Sequence, residues 1–549
     1  MQADQHYSAD PSAVAGRPED RPPEVESDDH RGPAPVRRWP AVVIFTLGGI
    51  ALFAVLLRIS YSLVVTSDAA NNVLQASDLL HGDLLLHGWI VGDATYYTFE
   101  LPVFVLAVAI FGVGSVVPHV ASAAVYVLVI ASAVALARIG SRGMGAAVRT
   151  GIVLAVLTIP LAYANDVGLL VEKPDHTGTA AITILSFILI EKWAGRRYTA
   201  PLLCLLLIAG QLGDATVLYV TVPAVVVVSL FRLAQARRLR TADGAVLLAA
   251  AASVPLAMLL RSAEQHAGGY LMLSPTIRLA PWSHLGANYR LTSHGLLLIF
   301  GALAGPSARL GAVGAALGLA AVAAAVYGFG RVLVTWPRAT RAEQLLCVAI
   351  VVNIAAYQFS TMPVRSNPRE MVLVLPAGAI LAARGLARRP IVAVPWALAA
   401  LGAAAMLAIV PLTAAAILPP ARQPEVPLIA WLKAHGLRYG VAGYWYASAV
   451  TVVSRGEVVV RSVVPRKTGI GANDWEAKWD WYYPSDHAAR FAIADPGSPR
   501  GPNRFTVAEF EQAFGKPVAF HRVAGVIVMI YQKNLLDQVT PALPLPGSG

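Results

Sequence analysis

Charged side chains are scarce in this chain of 549 residues. Asp, Glu, Lys and Arg together make up 14% of it, whereas 56% is hydrophobic and the mean hydropathy is +0.59. A soluble globular chain carries about 25% charged residues. Because so few charges cannot cover an exterior that faces water, the composition predicts a multi-pass membrane protein whose surface largely contacts lipid.

Cysteine is scarcer still, since Cys204 and Cys347 are the only two and both fall inside apolar runs. Two such residues exclude a disulfide framework and a cysteine-based zinc site. The net charge of +11 does not indicate a nucleic-acid partner, because the basic residues occur in short clusters between apolar runs. We interpret these clusters as signals that orient the chain in a membrane.

Long apolar runs are abundant, and a helix needs roughly 20 apolar residues to cross a bilayer. On this basis the sequence predicts about eleven spanning helices. Their ranges are 39–62, 118–138, 146–164, 177–193, 199–213, 215–231, 244–261, 308–330, 343–360, 371–385 and 391–417. Two further apolar stretches, 100–114 and 294–304, are short and lead directly into other spans, so we expect them to lie at the outer membrane surface.

The distribution of Lys and Arg predicts the orientation of these spans. Neither residue occurs in the loop 66–100, whereas Arg37 and Arg38 precede the first span and basic clusters follow the second, fourth, sixth, eighth and tenth spans. All of these clusters lie on one side, which the positive-inside rule assigns to the cytoplasm. We therefore expect a protein of the plasma membrane with a cytoplasmic N-terminus.

The composition changes after residue 418, where prolines mark a linker. Runs rich in β-branched residues follow at 456–464 and 523–531, among helix-like segments at 426–436 and 506–514. The sequence thus predicts a polytopic α-helical membrane protein with a small exported C-terminal α/β domain. The predicted parts are a disordered cytoplasmic tail at 1–38, a membrane domain at 39–418 with outer loops at 66–117 and 164–177, an extracytoplasmic domain at 419–540 and a disordered tail at 541–549.

Acidic residues cluster in the predicted outer loops. Asp68 directly follows the first span at the start of a predicted helix, where Ser67 is a candidate N-cap, and helical spacing places Asn71, Asn72 and Gln75 on the same face as Asp68. Asp175 and His176 lie at the mouth of the fourth span. The alternative interpretation is that such residues are solvated loop charges or helix caps, and we interpret Asp214 as a cap.

The order of these features resembles the GT-C superfamily of membrane glycosyltransferases, which includes bacterial protein O-mannosyltransferases and aminoarabinose transferases. An outer loop opens with Asp68 after the first span and continues through "LLHGDLLLHGW" to a surface helix that begins "ELPVFVLAVAIFG". His-Thr-Gly at 176–178 opens the fourth span, and "NPREMVLVLPAGAILAARG" at 367–385 is similar to an Arg-Tyr-Leu-Leu-Pro segment of bacterial members. Ala69 departs from the pattern, since many members have a second acid there.

The resemblance implies transfer of a sugar from a polyprenyl-phosphate donor to a glycan, lipid or protein acceptor at the outer face of the membrane. Asp68 would act as general base on the acceptor hydroxyl, or would orient it. The leaving phosphate needs cations, which Arg365 and Arg369 would provide, or a divalent ion (Mg²⁺ or Mn²⁺) held by Asp175, His176 and Glu172. Further candidate substrate contacts are Asn72, Asp93, Glu100 and Glu172.

Two other interpretations stay open at this point. A non-catalytic membrane scaffold would present residues 419–540 outside the cell without any chemistry at Asp68. A transporter would carry ionisable residues within its spans, and the span interiors of this sequence are nearly free of charge. The sequence therefore favours the enzyme or the scaffold over the transporter.

Overall fold

The computed structural model describes residues 39–92, 94–163, 168–173, 175–237, 241–273, 278–303, 311–363, 368–387, 419–467, 469–495 and 505–541, with scattered residues of 399–417. Both predicted tails, 1–38 and 541–549, lie outside these residues except for position 541. Two predicted substrate contacts, Asp93 and Arg365, also lie outside them.

Helices make up most of the chain up to residue 386. They are α1 (Trp39–Ser60), α2 (Ser67–Leu80), α3 (Glu100–Phe111), α4 (Val116–Arg138), α5 (Gly143–Tyr163), α6 (Gly168–Val171), α7 (Thr177–Trp193), α8 (Thr199–Gly213), α9 (Val222–Ala236, preceded by a π-helical turn Val217–Thr221), α10 (Ala242–His266), α11 (Leu285–Ile299), α12 (Gly311–Val334), α13 (Arg341–Gln358) and α14 (Val374–Leu386). Each of the first ten predicted spans coincides with one of these helices.

Six helices among the described residues are long and apolar enough to cross a membrane. They include Val43–Ser60, Val116–Arg138, Gly143–Leu161, Val217–Ala236, Ala242–His266 and Ala312–Val334. The helices α3 and α8 are apolar but shorter. At 12 residues α3 is too short to span, in agreement with the prediction of a surface helix at 100–114. The polytopic helical fold class is confirmed.

Buried apolar side chains of the helices up to residue 386 form one continuous core. Leu56 of α1, Phe187 of α7 and Ile380 of α14 are fully buried in it. Small residues allow the closest approach between helices, because a Cβ atom on Gly328 of α12 would lie 2.4 Å from the backbone of Leu381 in α14. This contact fixes α12 directly against α14.

The C-terminal domain, which we define as residues 419–541, is an α/β structure. It contains α15 (Glu425–Ala434), α16 (Tyr444–Val453), α17 (Val507–Phe514) and the strands β3 (Tyr439–Ala442), β4 (Val459–Arg466), β5 (Gly469–Ala472), β6 (Ala477–Lys478), β7 (Phe491–Ala494), β8 (Ala519–Val523), β9 (Val526–Ile530) and β10 (Val539–Thr540). Seven of the strands form a mixed sheet of order β10-β5-β4-β3-β7-β9-β8, in which β3 is parallel to both β4 and β7.

The predicted run 523–531 is a tight turn and one strand of a hairpin rather than a single strand. Ala524 and Gly525 turn between β8 and β9 with φ of 49° and 87°, a left-handed conformation that is common only for glycine. The capping box of Thr506 and Glu509 starts α17, as the predicted helix at 506–514 requires. The α/β character expected of this part of the chain is confirmed.

A second, three-stranded sheet joins the C-terminal domain to the membrane domain. Its central strand β1 (Trp89–Val91) follows α2 and pairs with β2 (Leu271–Met272), which follows α10, and with β6 of the C-terminal domain. Lys478 of β6 also contacts Asp78 of α2, with 2.8 Å between Nζ and Oδ2. The residues directly before β6 are thereby held over the N-terminal half of α2.

Substitution of Gly328 tests the close packing of α12 on α14. We expect Gly328→Leu to overpack this contact and to destabilise the protein by about 1–3 kcal/mol, because the backbone of Leu381 cannot move away without disturbing the core. The thermal unfolding midpoint in detergent measures the effect. Gly330→Leu is the matched control, since no atom lies within 4 Å of a Cβ at Gly330. Equal midpoints for the two variants would contradict the packing.

Candidate active site

The helix α2 begins directly after the first span because Thr66 caps it. The Thr66 hydroxyl accepts a hydrogen bond from the backbone N–H of Ala69 at 3.4 Å, so Thr66 is the N-cap in place of the predicted Ser67. The first turn of α2 carries Asp68 and the second carries Asn71, three residues apart and therefore on one face. The face that carries Asp68 and Asn71 contacts the C-terminal domain.

The turn between α6 and α7 brings three ionisable residues to the same place. His176 adopts a left-handed conformation with φ of 55°, which is uncommon for a residue other than glycine. Lys173 and Asp175 face Asp68, while His176 faces the end of α8. A conformation of this kind in a non-glycine residue is often found where function requires it.

Four charges alternate in a mostly buried cluster. The Lys173 Nζ lies 2.9 Å from Oδ2 of Asp68 and 3.4 Å from Oδ2 of Asp175. The Arg369 guanidinium donates a hydrogen bond to Asp175 and lies 3.8 Å from Oδ2 of Asp68. Each carboxylate is thus shared by two cations.

The charges of this cluster stabilise one another. Burial by itself would raise the pKa of Asp68, but Lys173, a hydrogen bond from Tyr444 and Arg369 together hold the pKa below its usual value. Burial likewise opposes ionisation of Asp175, and Lys173 and Arg369 lower its pKa strongly. Both acids are therefore ionised at neutral pH.

His176 forms a separate ion pair with Asp214. The two side chains are 2.6 Å apart from Nδ1 to Oδ2, and the Thr179 hydroxyl donates to the same oxygen at 2.5 Å. Burial would lower the pKa of His176, but the Asp214 carboxylate raises it to about 10, so the imidazole is protonated. Asp214 also lies at the C-cap of α8 and accepts from the Thr216 N–H, as the predicted cap requires.

The C-terminal domain adds a further acidic residue to the site. The Tyr444 hydroxyl lies 2.5 Å from Oδ1 of Asp68 and 3.0 Å from Oε2 of Glu476. The Asn71 amide donates to the same Glu476 oxygen at 3.1 Å, and Ser448 donates to the Asn71 carbonyl. Burial, followed by the negative charge of Asp68, raises the pKa of Glu476 to about 7.

These residues enclose a polar cavity of about 230 Å³. Its wall is formed by Asp68, Gly92, Ala94, Tyr96, Lys173, Asp175, His176, Met362, Arg369, Glu370, Trp475 and Glu476. Trp475 closes the cavity over Gly92, where a Cβ atom would lie 2.9 Å from the indole ring. The membrane domain and the C-terminal domain therefore both contribute to the wall.

A larger cavity of about 580 Å³ adjoins the polar one and shares His176, Met362 and Glu370 with it. Apart from these it is lined mainly by apolar and aromatic side chains such as Leu279 and Phe359. A third cavity, of about 650 Å³ and almost entirely apolar, shares Phe359 with the second. An apolar path therefore leads from the polar cavity along α11, α12, α13 and α14.

The structure brings four of the predicted site residues together. Asp68, Asp175, His176 and Arg369 line the polar cavity. Asn72 is buried in α2 outside the cavity wall, and its neighbour Asn71 makes the contacts to the C-terminal domain.

The other described candidates lie beside the cavity. Glu172 lies behind its wall, where Thr66 hydrogen-bonds its carboxylate. Glu100 is buried at the start of α3 against Gly178, and burial together with Asp214 raises its pKa to about 8. Asp93 and Arg365 are not described.

Sequence reasoning missed Lys173, Tyr444 and Glu476. A signal for Lys173 was present, because a lysine in the predicted outer loop 164–177 is an exception to the positive-inside rule. No local signal places Tyr444 or Glu476 beside Asp68, since the hydrogen bond from Tyr444 to Asp68 joins residues 376 positions apart.

The predicted metal ligands do not fit a divalent cation in this arrangement. Tyr96 and Arg369 occupy the two carboxylate oxygens of Asp175, and Asp214 occupies Nδ1 of His176. Among the residues that the structure describes, no group of three or more His, Cys, Asp or Glu side chains is placed to hold a metal ion. Lys173 and Arg369 supply the positive charge here.

No protein-family model matches the chain, and no curated protein matches its sequence. Solved structures do match its fold. ArnT from Cupriavidus metallidurans bound to undecaprenyl phosphate aligns at 13% identity with a TM-score of 0.53, over 89% of this chain and 98% of that one. The apo state of the same protein aligns at 12% identity with a TM-score of 0.56, over 92% and 99%.

A third structure, the archaeal oligosaccharyltransferase AglB from Archaeoglobus fulgidus in complex with an inhibitory peptide and a dolichol-phosphate, aligns at 12% identity. Its TM-score is 0.45, over 82% of this chain and 70% of that one. The ArnT comparisons cover nearly the whole of both chains and confirm the GT-C-like fold, in which a polytopic helical domain carries a C-terminal domain.

Removal of the Lys173 charge tests the alternating cluster. We expect Lys173→Met to destabilise the protein by about 3–5 kcal/mol, because two buried carboxylates then share only Arg369. The thermal unfolding midpoint in detergent measures this loss. Lys433→Met is the control, since Lys433 pairs with Glu457 at an exposed site and such pairs contribute less than about 1 kcal/mol. A loss at Lys173 no larger than at Lys433 would contradict the cluster.

Proposed function

We propose that this protein transfers a sugar from a polyprenyl-phosphate donor to an acceptor hydroxyl of the cell envelope, at the outer face of the plasma membrane. The observation that carries the proposal is the position of Asp68, an ionised carboxylate beside Lys173 and Arg369 in a polar cavity that opens onto an apolar path. The GT-C-like fold and the undecaprenyl phosphate bound by ArnT support this assignment.

The two kinds of cavity match the two parts of such a donor. A polyprenyl chain is apolar and long, and the cavities of about 580 and 650 Å³ provide a continuous apolar surface beside the outer leaflet. The sugar and the phosphate are polar and fit the cavity of about 230 Å³. The phosphate then lies where the cavities meet, near His176 and Arg369.

Cations at this junction stabilise the leaving phosphate. Arg369 is 21% exposed and can turn its planar guanidinium toward phosphate oxygens, which it binds in a bidentate manner. Lys173 and the protonated His176 add positive charge within the same wall. Fixed charges of this kind favour the transition state because they need no reorganisation when negative charge develops on the leaving group.

The reaction is a single displacement at the anomeric carbon. The acceptor oxygen forms a bond to this carbon while the bond from carbon to the phosphate oxygen breaks, and its electron pair leaves with the polyprenyl phosphate. Asp68 orients the acceptor hydroxyl and takes its proton, which requires hydrogen-bond reach between the two. Attack from the side opposite the phosphate inverts the configuration.

Replacement of the carboxylate tests the role of Asp68. We expect Asp68→Asn to lower sugar transfer by about 100-fold to 10,000-fold, the range that general base catalysis contributes, while expression stays at the wild-type level. Glycan and lipid profiles of a deletion strain complemented with each variant provide the measurement.

Asp474→Asn is the control, because Asp474 pairs with Arg466 at a partly exposed site outside the wall of the polar cavity. Wild-type profiles from the Asp68→Asn strain would instead support a non-catalytic scaffold that presents the C-terminal domain.

The proposed orientation is tested with single cysteines. The side chain of Asp474 in the C-terminal domain is 41% exposed, and Arg237 is exposed after α9 on the predicted cytoplasmic side. We expect a membrane-impermeant maleimide to label Asp474→Cys on intact cells and to label Arg237→Cys only after lysis. The parent protein is the control, because Cys347 is buried and Cys204 lies within α8. The reverse labelling pattern would place the polar cavity in the cytoplasm and contradict the proposal.

A further inference from the structure

The C-terminal domain contributes an acid to the cavity that the displacement described above does not use. Glu476 directly follows Trp475 and adopts a left-handed conformation with φ of 45°. Its side chain is buried in the wall of the polar cavity, and the sheet formed by β1 and β6 holds it over α2. A strained backbone at a buried acid points to a requirement for its position.

The hydrogen bonds around Tyr444 form a path from Asp68 to Glu476. The Tyr444 hydroxyl has a single proton, yet its oxygen lies within hydrogen-bond distance of both carboxyl groups, 2.5 Å from Asp68 and 3.0 Å from Glu476. If Tyr444 donates to Asp68, a protonated Glu476 donates a hydrogen bond to the Tyr444 oxygen, which also accepts one from the Asn71 amide at 3.3 Å. If Tyr444 donates to Glu476, a protonated Asp68 donates to that oxygen instead. The two arrangements differ by the transfer of one proton between the acids.

We propose that Glu476 is the final proton acceptor of the reaction, which it reaches through Tyr444. This inference rests on the proposed function and adds a second positioning acid to it. Asp68 takes the proton of the acceptor hydroxyl as the new glycosidic bond forms and the polyprenyl phosphate leaves. Asp68 passes a proton to the Tyr444 oxygen while Tyr444 gives its own proton to Oε2 of Glu476, so Asp68 is ionised again and Glu476 is neutral.

The electrostatics favour this direction of transfer. Lys173 and Arg369 hold the pKa of Asp68 low, so a protonated Asp68 readily gives up its proton. Glu476 has neither cation in direct contact, and burial and the charge of Asp68 raise its pKa to about 7. The hydrogen bond from Asn71 of α2 and the more distant charge of Lys173 both oppose this rise in the pKa of Glu476. Asp175, Glu370, Arg369 and His176 face Glu476 across the cavity.

The dependence of the transfer rate on pH tests the inference. Glu476 must be ionised to accept a proton, so we expect the wild-type rate to rise with pH and to level off above about pH 7. We expect Glu476→Gln to lower the plateau rate by about tenfold or more and to remove this rise, because its amide cannot take the proton. Assays use the full-length protein in detergent with undecaprenyl-phosphate-linked sugars.

Tyr444→Phe interrupts the path while it keeps Glu476. We expect Tyr444→Phe to lower the plateau rate as Glu476→Gln does and to remove the dependence of the rate on pH. The double variant with both substitutions should be no slower than either single variant, since all three break the same path. Asp474→Asn is the control, because this acid lies two positions before Glu476 but pairs with Arg466 at an exposed site. It should keep both the wild-type rate and the wild-type profile.

Each outcome separates the inference from the proposed function. A wild-type protein without transferase activity would contradict the proposed function, and with it the role of Glu476, because no reaction would then release a proton to it. An active wild type whose Glu476→Gln and Tyr444→Phe variants lose rate by the same factor at every pH shows that the two residues only hold the structure, and it overturns the relay. An unchanged rate in Glu476→Gln overturns it as well.

Discussion

The alternation of two acids with two cations in a mostly buried cluster is the interaction on which the polar cavity depends. Isolated charges are costly to bury, and each of these charges becomes tolerable only because its neighbours have the opposite sign. Asp68 belongs to α2, Lys173 and Asp175 to the turn before α7, and Arg369 to the segment before α14. Three separate parts of the chain must therefore meet in one geometry, and the polar cavity is the space that they enclose.

The membrane architecture was predictable because its signals are local. Apolar length locates the helices, and the spacing of Asp68, Asn71, Asn72 and Gln75 predicts one polar face of α2. Periodicity alone does not fix the rotation of a short helix, because adjacent residues differ by only about 100°, and this explains why Asn71 rather than Asn72 meets the C-terminal domain. The contacts of Tyr444 and Glu476 depend on the docking of a sheet, which no pattern along the chain encodes.

The charge balance of the cavity also bears on the metal that the sequence left open. A divalent cation needs oxygen or imidazole ligands that are not already engaged, and manganese tolerates a histidine among them. Here the oxygens of Asp175 are bound to Tyr96 and Arg369, and Nδ1 of His176 is bound to Asp214. In the proposed reaction the cationic role therefore belongs to Lys173 and Arg369.

Asp68 and Glu476, the two acids that contact Tyr444, have opposite environments, and the proposed relay depends on this difference. Two carboxyl groups whose surroundings push their pKa values apart can divide the work of holding and releasing a proton. Cations of the membrane domain keep Asp68 ionised, whereas the C-terminal domain places Glu476 where burial disfavours its charge. Because the same hydrogen bonds attach α16 to α2, the docking of the C-terminal domain and the connection between the acids are a single structural event. A membrane domain folded without the C-terminal domain would keep Asp68 but lose Glu476, the proton acceptor that we propose.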